Sequence, residues 1–247
     1  MNTVLITGCS SGFGLETVHH FLERGWKVVA TMRTVREDVL PRSEHLRVLA
    51  LDVTDPDSIR RAIDAAGPID VLVNNAGIGL LGALEGVSMD TVREVFATNT
   101  LGTIAMTQAV LPKFRLRQAG VVVNVTSSVT LVPLPLLAVY SASKAAVNAF
   151  TASLALELRQ FNVRVNIVLP GRAPTTRFGE NARSRMQGAI PESYAALAEG
   201  VFTTWGESTV VTHASDVAET VWRAANDPSC PLYLPAGADA IALGEAH

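Results

Sequence analysis

The stretch Val4-Leu5-Ile6-Thr7-Gly8-Cys9-Ser10-Ser11-Gly12-Phe13-Gly14 decides the fold of this chain. Its apolar start predicts a buried strand. Beyond the last glycine, four apolar residues share one face of a predicted helix: Leu15, Val18, Phe21 and Leu22. Glycines between a strand and a helix permit positive φ angles and let backbone N–H groups approach an anion at the helix start. A dinucleotide-binding fingerprint requires this setting, although many strand–helix junctions need glycine for other reasons.

Apolar runs with the character of strands recur along the chain, with helical stretches between them. We predict strands near residues 3–7, 27–32, 46–52, 69–74, 120–126, 163–169 and 231–234. Several are apolar at nearly every position, as expected where helices cover both faces of a sheet. The pattern predicts an α/β fold, a Rossmann-type doubly wound sheet of seven parallel strands, in one domain over residues 1–247. Residues 172–212 contain no obvious strand, so we expect a functional or mobile insertion there.

Composition argues against several classes of protein. Hydrophobic residues make up 48% of the chain and charged residues 17%, which favours a large core over disorder. The net charge of −3 gives no basic excess for nucleic-acid binding. Cys9 and Cys230 lie far apart and outside any metal-binding pattern, so we expect no metal site and no disulfide. The longest apolar run, 131–139, is too short to span a bilayer, and no targeting segment is visible. We therefore expect a soluble, cytoplasmic protein.

Tyr140 and Lys144 are the most informative pair for function. In a helix over about 138–159, their i,i+4 spacing places the phenol and the ammonium on one face. A phenol titrates near pH ~10, and a nearby ammonium lowers that pKa towards the range in which a general acid works. The Ser127 hydroxyl, thirteen positions upstream, could then hold a reacting oxygen. The Y-x-x-x-K spacing is common by chance, so the pair gains weight only from the motifs around it.

Taken together, these motifs resemble the short-chain dehydrogenase/reductase family, in its compact single-domain branch with T-G-x-x-x-G-x-G and Y-x-x-x-K. They occur in the family's order and cover nearly all of the chain: residues 7–14, Asp52-Val53, Asn74-Asn75-Ala76-Gly77, Asn99, Ser127, Tyr140 with Lys144, and Pro170-Gly171 with Thr175.

The resemblance implies a catalytic set of Asn99, Ser127, Tyr140 and Lys144. Ser127 would hold the carbonyl oxygen and Tyr140 would donate the proton. Lys144 would lower the pKa of Tyr140 and hold the nicotinamide ribose. Asn99 falls inside a predicted helix over 88–117, where the family account is a local distortion that holds a water; the alternative is a tolerated surface Asn. Asn124-Val125-Thr126-Ser127 fits the family's N-x-[S/G]-S run, whereas Thr130 replaces a common glycine in the next loop.

The resemblance also implies a bound nicotinamide dinucleotide. Its implied contacts are Gly8, Ser10, Ser11, Gly12, Phe13 and Gly14 in the turn, Asp52 and Val53 at the adenine, Asn75, Ala76 and Gly77 beside it, Tyr140 and Lys144, and Pro170, Gly171 and Thr175 at the carboxamide. Without the family, Asp52 is equally well explained as a helix cap, and the Asn and Gly residues as turn formers.

The end of the second strand predicts NADP(H) rather than NAD(H). NAD-preferring enzymes of this fold place an acid there to bind the ribose hydroxyls, but this chain has Met32 followed by Arg33. The Arg33 guanidinium suits a 2′-phosphate, and Ser11 could add a hydroxyl. The alternative is that Arg33 is merely a solvated charge.

We therefore expect an oxidoreductase that interconverts a ketone and a secondary alcohol by hydride transfer. The apolar loop 131–137 and the aromatic residues of the insertion, which covers the substrate in the family, predict a bulky hydrophobic substrate. Features shared with hydroxysteroid dehydrogenases are too general to name a steroid. One alternative is an extended-branch epimerase or dehydratase, which is disfavoured because the glycine fingerprint of that branch is spaced differently. The other is a catalytically silent NADP(H)-binding sensor. The helix 138–158 is apolar nearly all round, which predicts a homodimer or homotetramer.

Overall fold

A computed structural model describes residues 1–176 and 178–245; residues 177, 246 and 247, which the predicted domain and insertion include, lie outside the described residues. The described chain forms a sheet of seven parallel strands in the order β3-β2-β1-β4-β5-β6-β7. They are β1 Thr3–Ile6, β2 Lys27–Met32, β3 Leu46–Ala50, β4 Val71–Asn74, β5 Gly120–Val125, β6 Val163–Pro170 and β7 Tyr233–Ala236. The predicted doubly wound, seven-stranded parallel sheet is confirmed. The last strand begins at Tyr233 rather than Pro231, whose ring nitrogen has no N–H to donate to a ladder.

Helices cover both faces of this sheet. Their bounds are α1 Gly12–Glu23, α2 Pro56–Ala66, α3 Met89–Phe96, α4 Gly102–Arg117, α5 Ala138–Leu158, α6 Phe178–Met186, α7 Ala195–Glu207, α8 Ala214–Asn226 and α9 Ala238–Glu245. On one face, Val121, Val123 and Val125 of β5 join the core beneath α1 and α8. On the other face, Val122 packs with residues of α2, α4 and α5. Successive side chains of β5 point to opposite faces of the sheet, and helices cover both faces. This explains why the strand is apolar at nearly every position.

The helix predicted over residues 88–117 is not continuous. A π-helical stretch, Ala97–Leu101, separates α3 from α4. The stretch contains Asn99, whose side chain bonds to groups outside the helix. Such single-turn bulges occur mostly at functional sites, and the distortion expected at Asn99 is present.

The insertion forms two helices, α6 and α7, and has no strand among its described residues. It rests on the segment after β4, where Ala83 N donates to Ala189 O at 2.9 Å. A methyl group added at Gly82 would lie 2.7 Å from Ala189 Cβ, so glycine is what allows the two segments to approach. A third apolar cluster, which includes Leu80, Leu137 and Ala198, joins the insertion to the body of the protein. Within the described residues, no helix has the length and apolar character needed to cross a bilayer.

Candidate active site

A cleft of about 1400 Å³ opens at the carboxyl ends of the strands. The strand order reverses between β1 and β4, and ligands of open α/β sheets bind in the crevice at such a point. The glycine turn after β1 forms one part of the cleft wall, and α6 and α7 close the opposite part.

The glycine turn is shaped for a closely approaching ligand. Gly8 has a φ of +74°, and a Cβ there would lie 2.9 Å from Ala76 Cα. A Cβ at Gly14 would lie 2.5 Å from Asn75 Nδ2, so Gly14 allows the turn to pack against β4. The first turn of α1 has Ser11 at its N-cap, with no side-chain hydrogen bond to the exposed N–H groups. These N–H groups therefore remain available to an anion in the cleft, as a dinucleotide pyrophosphate requires.

Asn75 clamps this turn to the end of β4. Its Nδ2 donates to Thr7 O at 2.8 Å and to Gly8 O at 3.1 Å. In return, Thr7 Oγ1 accepts from the backbone N–H groups of Asn75 and Ala76, at 3.0 and 2.9 Å. Asn74 points away into the core and donates to Asn124 Oδ1 at 2.8 Å. The two adjacent Asn side chains therefore have different roles, Asn75 binding the glycine turn and Asn74 binding within the core. Neither is explained by turn formation alone.

At the end of β2, Met32 is buried and Arg33 is exposed on the cleft wall. Asp52 follows β3, the strand paired with β2, and also lines the cleft. Burial raises the pKa of Asp52, but hydrogen bonds from Thr54 and the positive charge of Arg33 outweigh it and leave that pKa below its ordinary value. The carboxylate bonds the Thr54 N–H and hydroxyl at 2.9 and 2.7 Å, so it stays ionised beside a cation.

Cys9 occupies the underside of the glycine turn and is fully buried. Its N–H donates to Thr31 O at 2.9 Å, and its thiol bonds Ile6 O at 3.2 Å. Burial raises the pKa of the Cys9 thiol to about 12. This residue therefore belongs to the packing of the turn rather than to the cleft chemistry.

Ser127, Tyr140 and Lys144 meet in the middle of the cleft. Burial raises the pKa of Tyr140, and its hydrogen bond with Ser127 offsets this only in part. Burial lowers the pKa of Lys144 to about 8. Its Nζ donates to Val125 O at 3.1 Å and lies 6.0 Å from the centre of the Tyr140 ring. The expectation that Lys144 sets the Tyr140 pKa below its ordinary value is wrong for this structure, because desolvation of the phenol dominates.

Asn99 lies behind this group, 1% exposed, and does not line the cleft. Its Oδ1 accepts from Ile78 N at 2.8 Å, and its Nδ2 donates to Ile78 O at 3.0 Å and to Ser143 Oγ at 3.1 Å. A Cβ added at Gly77 would lie 3.3 Å from both Asn99 Oδ1 and Lys144 Nζ, so the amide and the ammonium face the same glycine. The alternative of a tolerated surface Asn is wrong, because the side chain is buried and bonded.

The structure brings nearly all of the predicted site residues to one cleft, the exceptions being Gly14, Asn99 and Thr175. Thr176 N bonds Ala173 O at 3.1 Å, and this turn leaves Thr175 exposed while Thr176 lines the cleft. Several lining residues were not anticipated from sequence: Arg36, Ile78, Leu81, Glu94, Arg172, Thr176, Arg183 and Asp239. Most of them follow a strand or lie in the insertion, and Glu94 lies in α3, but no sequence motif marks them.

Comparisons with known proteins identify the class. The short chain dehydrogenase family model matches residues 2–187. The chain belongs to the short-chain dehydrogenase/reductase family.

The similar proteins differ in what their names say they act on. Retinol dehydrogenase 8 of Bos taurus is 40% identical over 185 residues, which cover 70% of this chain and 59% of that protein. A 3-ketodihydrosphingosine reductase of Bacteroides thetaiotaomicron is 39% identical over 172 residues, 68% of this chain and 62% of that protein. This chain thus matches only about three fifths of the length of these curated relatives.

The similar solved structures cover almost the whole chain. A short-chain dehydrogenase from Streptomyces avermitilis has a TM-score of 0.84 and 31% identity, and the match covers 100% of this chain and 91% of that one. Two others have TM-scores of 0.79 and 26% identity. The protein from Burkholderia cenocepacia is in complex with NADP (99% of this chain, 92% of that one), and that from Burkholderia phymatum with NAD (95% and 88%).

Proposed function

We propose that this protein is an NADP(H)-dependent oxidoreductase that interconverts a ketone and a secondary alcohol with bulky apolar substituents. The observation that carries the proposal is the meeting of Ser127, Tyr140 and Lys144 in one cleft with the glycine turn and Arg33. A catalytic constellation and a dinucleotide cradle in the same cleft support an enzyme over a silent sensor, because a sensor needs only the cradle.

We assign each catalytic residue of the cleft a separate role in carbonyl reduction. The nicotinamide, when bound, supplies the hydride. Ser127 would hydrogen-bond the carbonyl oxygen and stabilise the negative charge that develops on it. Tyr140 would transfer its phenolic proton to that oxygen. Its raised pKa keeps the proton in place until the oxygen becomes basic, and the Lys144 ammonium stabilises the phenolate that remains.

The preference for NADP(H) is argued from the end of β2. Met32, which is buried, occupies this position in place of an acidic side chain. The next residue, Arg33, is exposed and lines the cleft. A guanidinium binds a 2′-phosphate through two parallel hydrogen bonds. Structures similar to this chain include complexes with either dinucleotide, so the preference rests on these two residues.

The substrate class is argued from the other end of the cleft, where we propose that the insertion covers the substrate. The ring of Phe178 stands edge-on to that of Tyr140, with centres 5.7 Å apart. Six apolar side chains line the cleft around it, beside the charged Glu180, Arg183 and Arg185: Val129, Leu134, Leu137, Met186, Phe202 and Trp205. A wall of this kind selects by shape and apolar burial. The names of the two curated relatives, a retinol dehydrogenase and a ketodihydrosphingosine reductase, fit a hydrophobic substrate.

The test is to follow NADPH and NADH oxidation with matched pairs of ketones, bulky apolar against small polar. We expect turnover with NADPH and bulky ketones, and we expect Arg33→Ala to raise the KM for NADPH much more than that for NADH. Arg42→Ala, an exposed arginine away from the cleft, serves as the control. Tight NADPH binding without turnover of any ketone or alcohol would favour the sensor. Equal effects of Arg33→Ala on both dinucleotides would contradict the cofactor assignment.

A further inference from the structure

The connection between β7 and α9 is bonded directly to the loop after β6. Asp239, in the first turn of α9, accepts from Arg172 N at 2.6 Å through Oδ2 and from Thr212 Oγ1 at 2.6 Å through Oδ1. Thr212 Oγ1 in turn accepts from Gly171 N at 2.9 Å. One carboxylate thus fixes two successive backbone N–H groups of the cleft wall, one directly and one through a hydroxyl.

Close packing leaves this arrangement no freedom. Gly171 lies so near the Asp239 carboxylate that any side chain at position 171 would overlap it. Gly237, with a φ of +96°, meets the Thr212 side chain in the same way. Asp239 itself lines the cleft. The carboxylate packs on Gly171 and the Thr212 side chain packs on Gly237, and together they hold the backbone of residues 171 and 172 in one place.

The same cluster reaches the end of the insertion. Thr212 N donates to Arg172 O at 2.8 Å, and the Arg172 guanidinium donates to Ser208 O just beyond α7. Asp239 is therefore linked both to the loop that follows β6 and to the segment in which the insertion ends.

We propose that Asp239 is a positioning residue for the nicotinamide half of the cofactor. The inference rests on the proposed function and on the family resemblance, which implies that Pro170 and Gly171 seat the carboxamide. A carboxamide needs backbone groups at fixed positions, and Asp239 fixes those of Gly171 and Arg172. The adenosine half lies at the glycine turn and β2, which Asp239 does not touch, so its binding does not depend on this carboxylate.

Two ligands separate a positioning role from a general structural one. Calorimetry would measure the Kd of NADP⁺ and of 2′-phospho-ADP-ribose, which lacks the nicotinamide, for wild type and Asp239→Asn. The amide keeps the shape but has no charge and one acceptor oxygen in place of two, so Asp239 no longer accepts from both Arg172 N and the Thr212 hydroxyl, which also lies 2.9 Å from Ala236 O. We expect the Kd of NADP⁺ to rise about tenfold, as for the loss of one hydrogen bond to a charged group, while the Kd of 2′-phospho-ADP-ribose stays unchanged.

Asp227→Asn is the matched control, because Asp227 also accepts from one N–H and one hydroxyl, both of Ser229, and lies away from the cleft. It should change neither Kd. If Asp239→Asn binds neither ligand, Thr212→Val decides, since it removes the hydroxyl that joins Asp239 to Gly171 N and keeps the bond from Arg172 N to Asp239. Weaker NADP⁺ binding with normal fragment binding supports the inference. Equal changes for both ligands, or none, would overturn it. A wild-type protein that binds neither ligand overturns the proposed function, and the inference with it.

Discussion

At the scale of single residues, burial controls the chemistry of this cleft. Lys144 and Tyr140 are 5% and 7% exposed, and burial shifts both pKa values towards the neutral forms. A lysine with a pKa of about 8 is still mostly an ammonium at neutral pH, and a tyrosine with a raised pKa keeps its proton. Before any ligand binds, the pair therefore stands with its proton on the phenol, as reduction of a carbonyl requires.

Replacing Tyr140 with Phe removes the proton donor and keeps the ring. We expect the protein to fold and to bind NADPH normally, while kcat for ketone reduction falls ~10²–10⁴-fold through lost acid catalysis. Steady-state kinetics and fluorescence titration with NADPH would measure the two effects. Tyr233→Phe, on β7 and outside the cleft, is the control. A variant that keeps more than about a tenth of wild-type turnover would contradict the assignment of Tyr140 as the proton donor.

The pKa of Lys144 predicts how stability depends on pH. The folded protein gives up this proton near pH 8, whereas an unfolded chain holds it until about pH 10.5. Between these values the unfolded state binds more protons, so the contribution of Lys144 to the free energy of unfolding rises with pH. It should gain roughly 2 kcal/mol from pH 8 to pH 10.

Urea unfolding of Lys144→Met at both pH values isolates this contribution. The variant should lose the rise that wild type shows, because Met does not titrate. Lys27→Met, at an exposed lysine, should retain it. Identical pH dependence in wild type and Lys144→Met would mean that the lysine is not desolvated as the structure indicates.

At the scale of elements, the structure departs from the sequence prediction wherever long-range contacts decide the outcome. The strands and the glycine turn follow from local apolar runs and were predicted closely. The distortion at Ala97–Leu101 was expected from the family resemblance and not from a local pattern, because it depends on Asn99 bonding Ile78 and Ser143. Likewise, α6 packs on Gly79 and the segment after it packs on Gly82, while Ala198 of α7 joins the third apolar cluster; these contacts, rather than a strong helical period, stabilise the insertion. Thr175 was chosen by motif spacing, but the turn at 173–176 exposes it.

Replacing Phe178, in helix α6, tests the predicted preference for a bulky apolar substrate. Its ring packs on Tyr140, and a methyl group added at Gly79 would lie 2.7 Å from it, so the ring is held between the cleft and the loop after β4. Phe178→Ala should raise the KM for a bulky apolar ketone about tenfold, since a buried aromatic contact contributes ~1.5–3 kcal/mol. The KM for a small ketone should change little. Leu197→Ala, an exposed residue of α7 outside the cleft, is the control. Parallel changes for both ketones would argue against a specificity role.

At the scale of the whole molecule, the outer surface of α5 is left uncovered. Small or apolar side chains form an exposed stripe along it: Ala138, Ala142, Ala145, Ala149, Ser153 and Leu156. Leu101 and Leu116, on the neighbouring α4 side, are 61% and 77% exposed. Small residues let helix axes approach to 8–10 Å. We therefore propose that two copies of the chain pack through this stripe, as the sequence predicted for a homodimer or homotetramer.

Light scattering at micromolar concentration tests this assembly. Wild type should give a multiple of 26.2 kDa, and Ala149→Arg should shift the mass to that of the monomer, because a charge would be buried without a partner. Leu197→Arg, on the surface of α7, should leave the mass unchanged. A monomeric wild type would contradict the proposal.

The burial of Cys9 has a consequence for the oxidation chemistry of the protein. Thiolates, not thiols, react with peroxides and alkylating agents. A thiol with a pKa of about 12, sealed beneath the glycine turn, carries almost no thiolate at neutral pH. Reagents can attack it only when β1, the turn and α1 come apart together. The rate at which Cys9 is modified therefore measures how often β1, the turn and α1 unfold locally. A cofactor bound on the turn would lower this rate by holding the three elements closed.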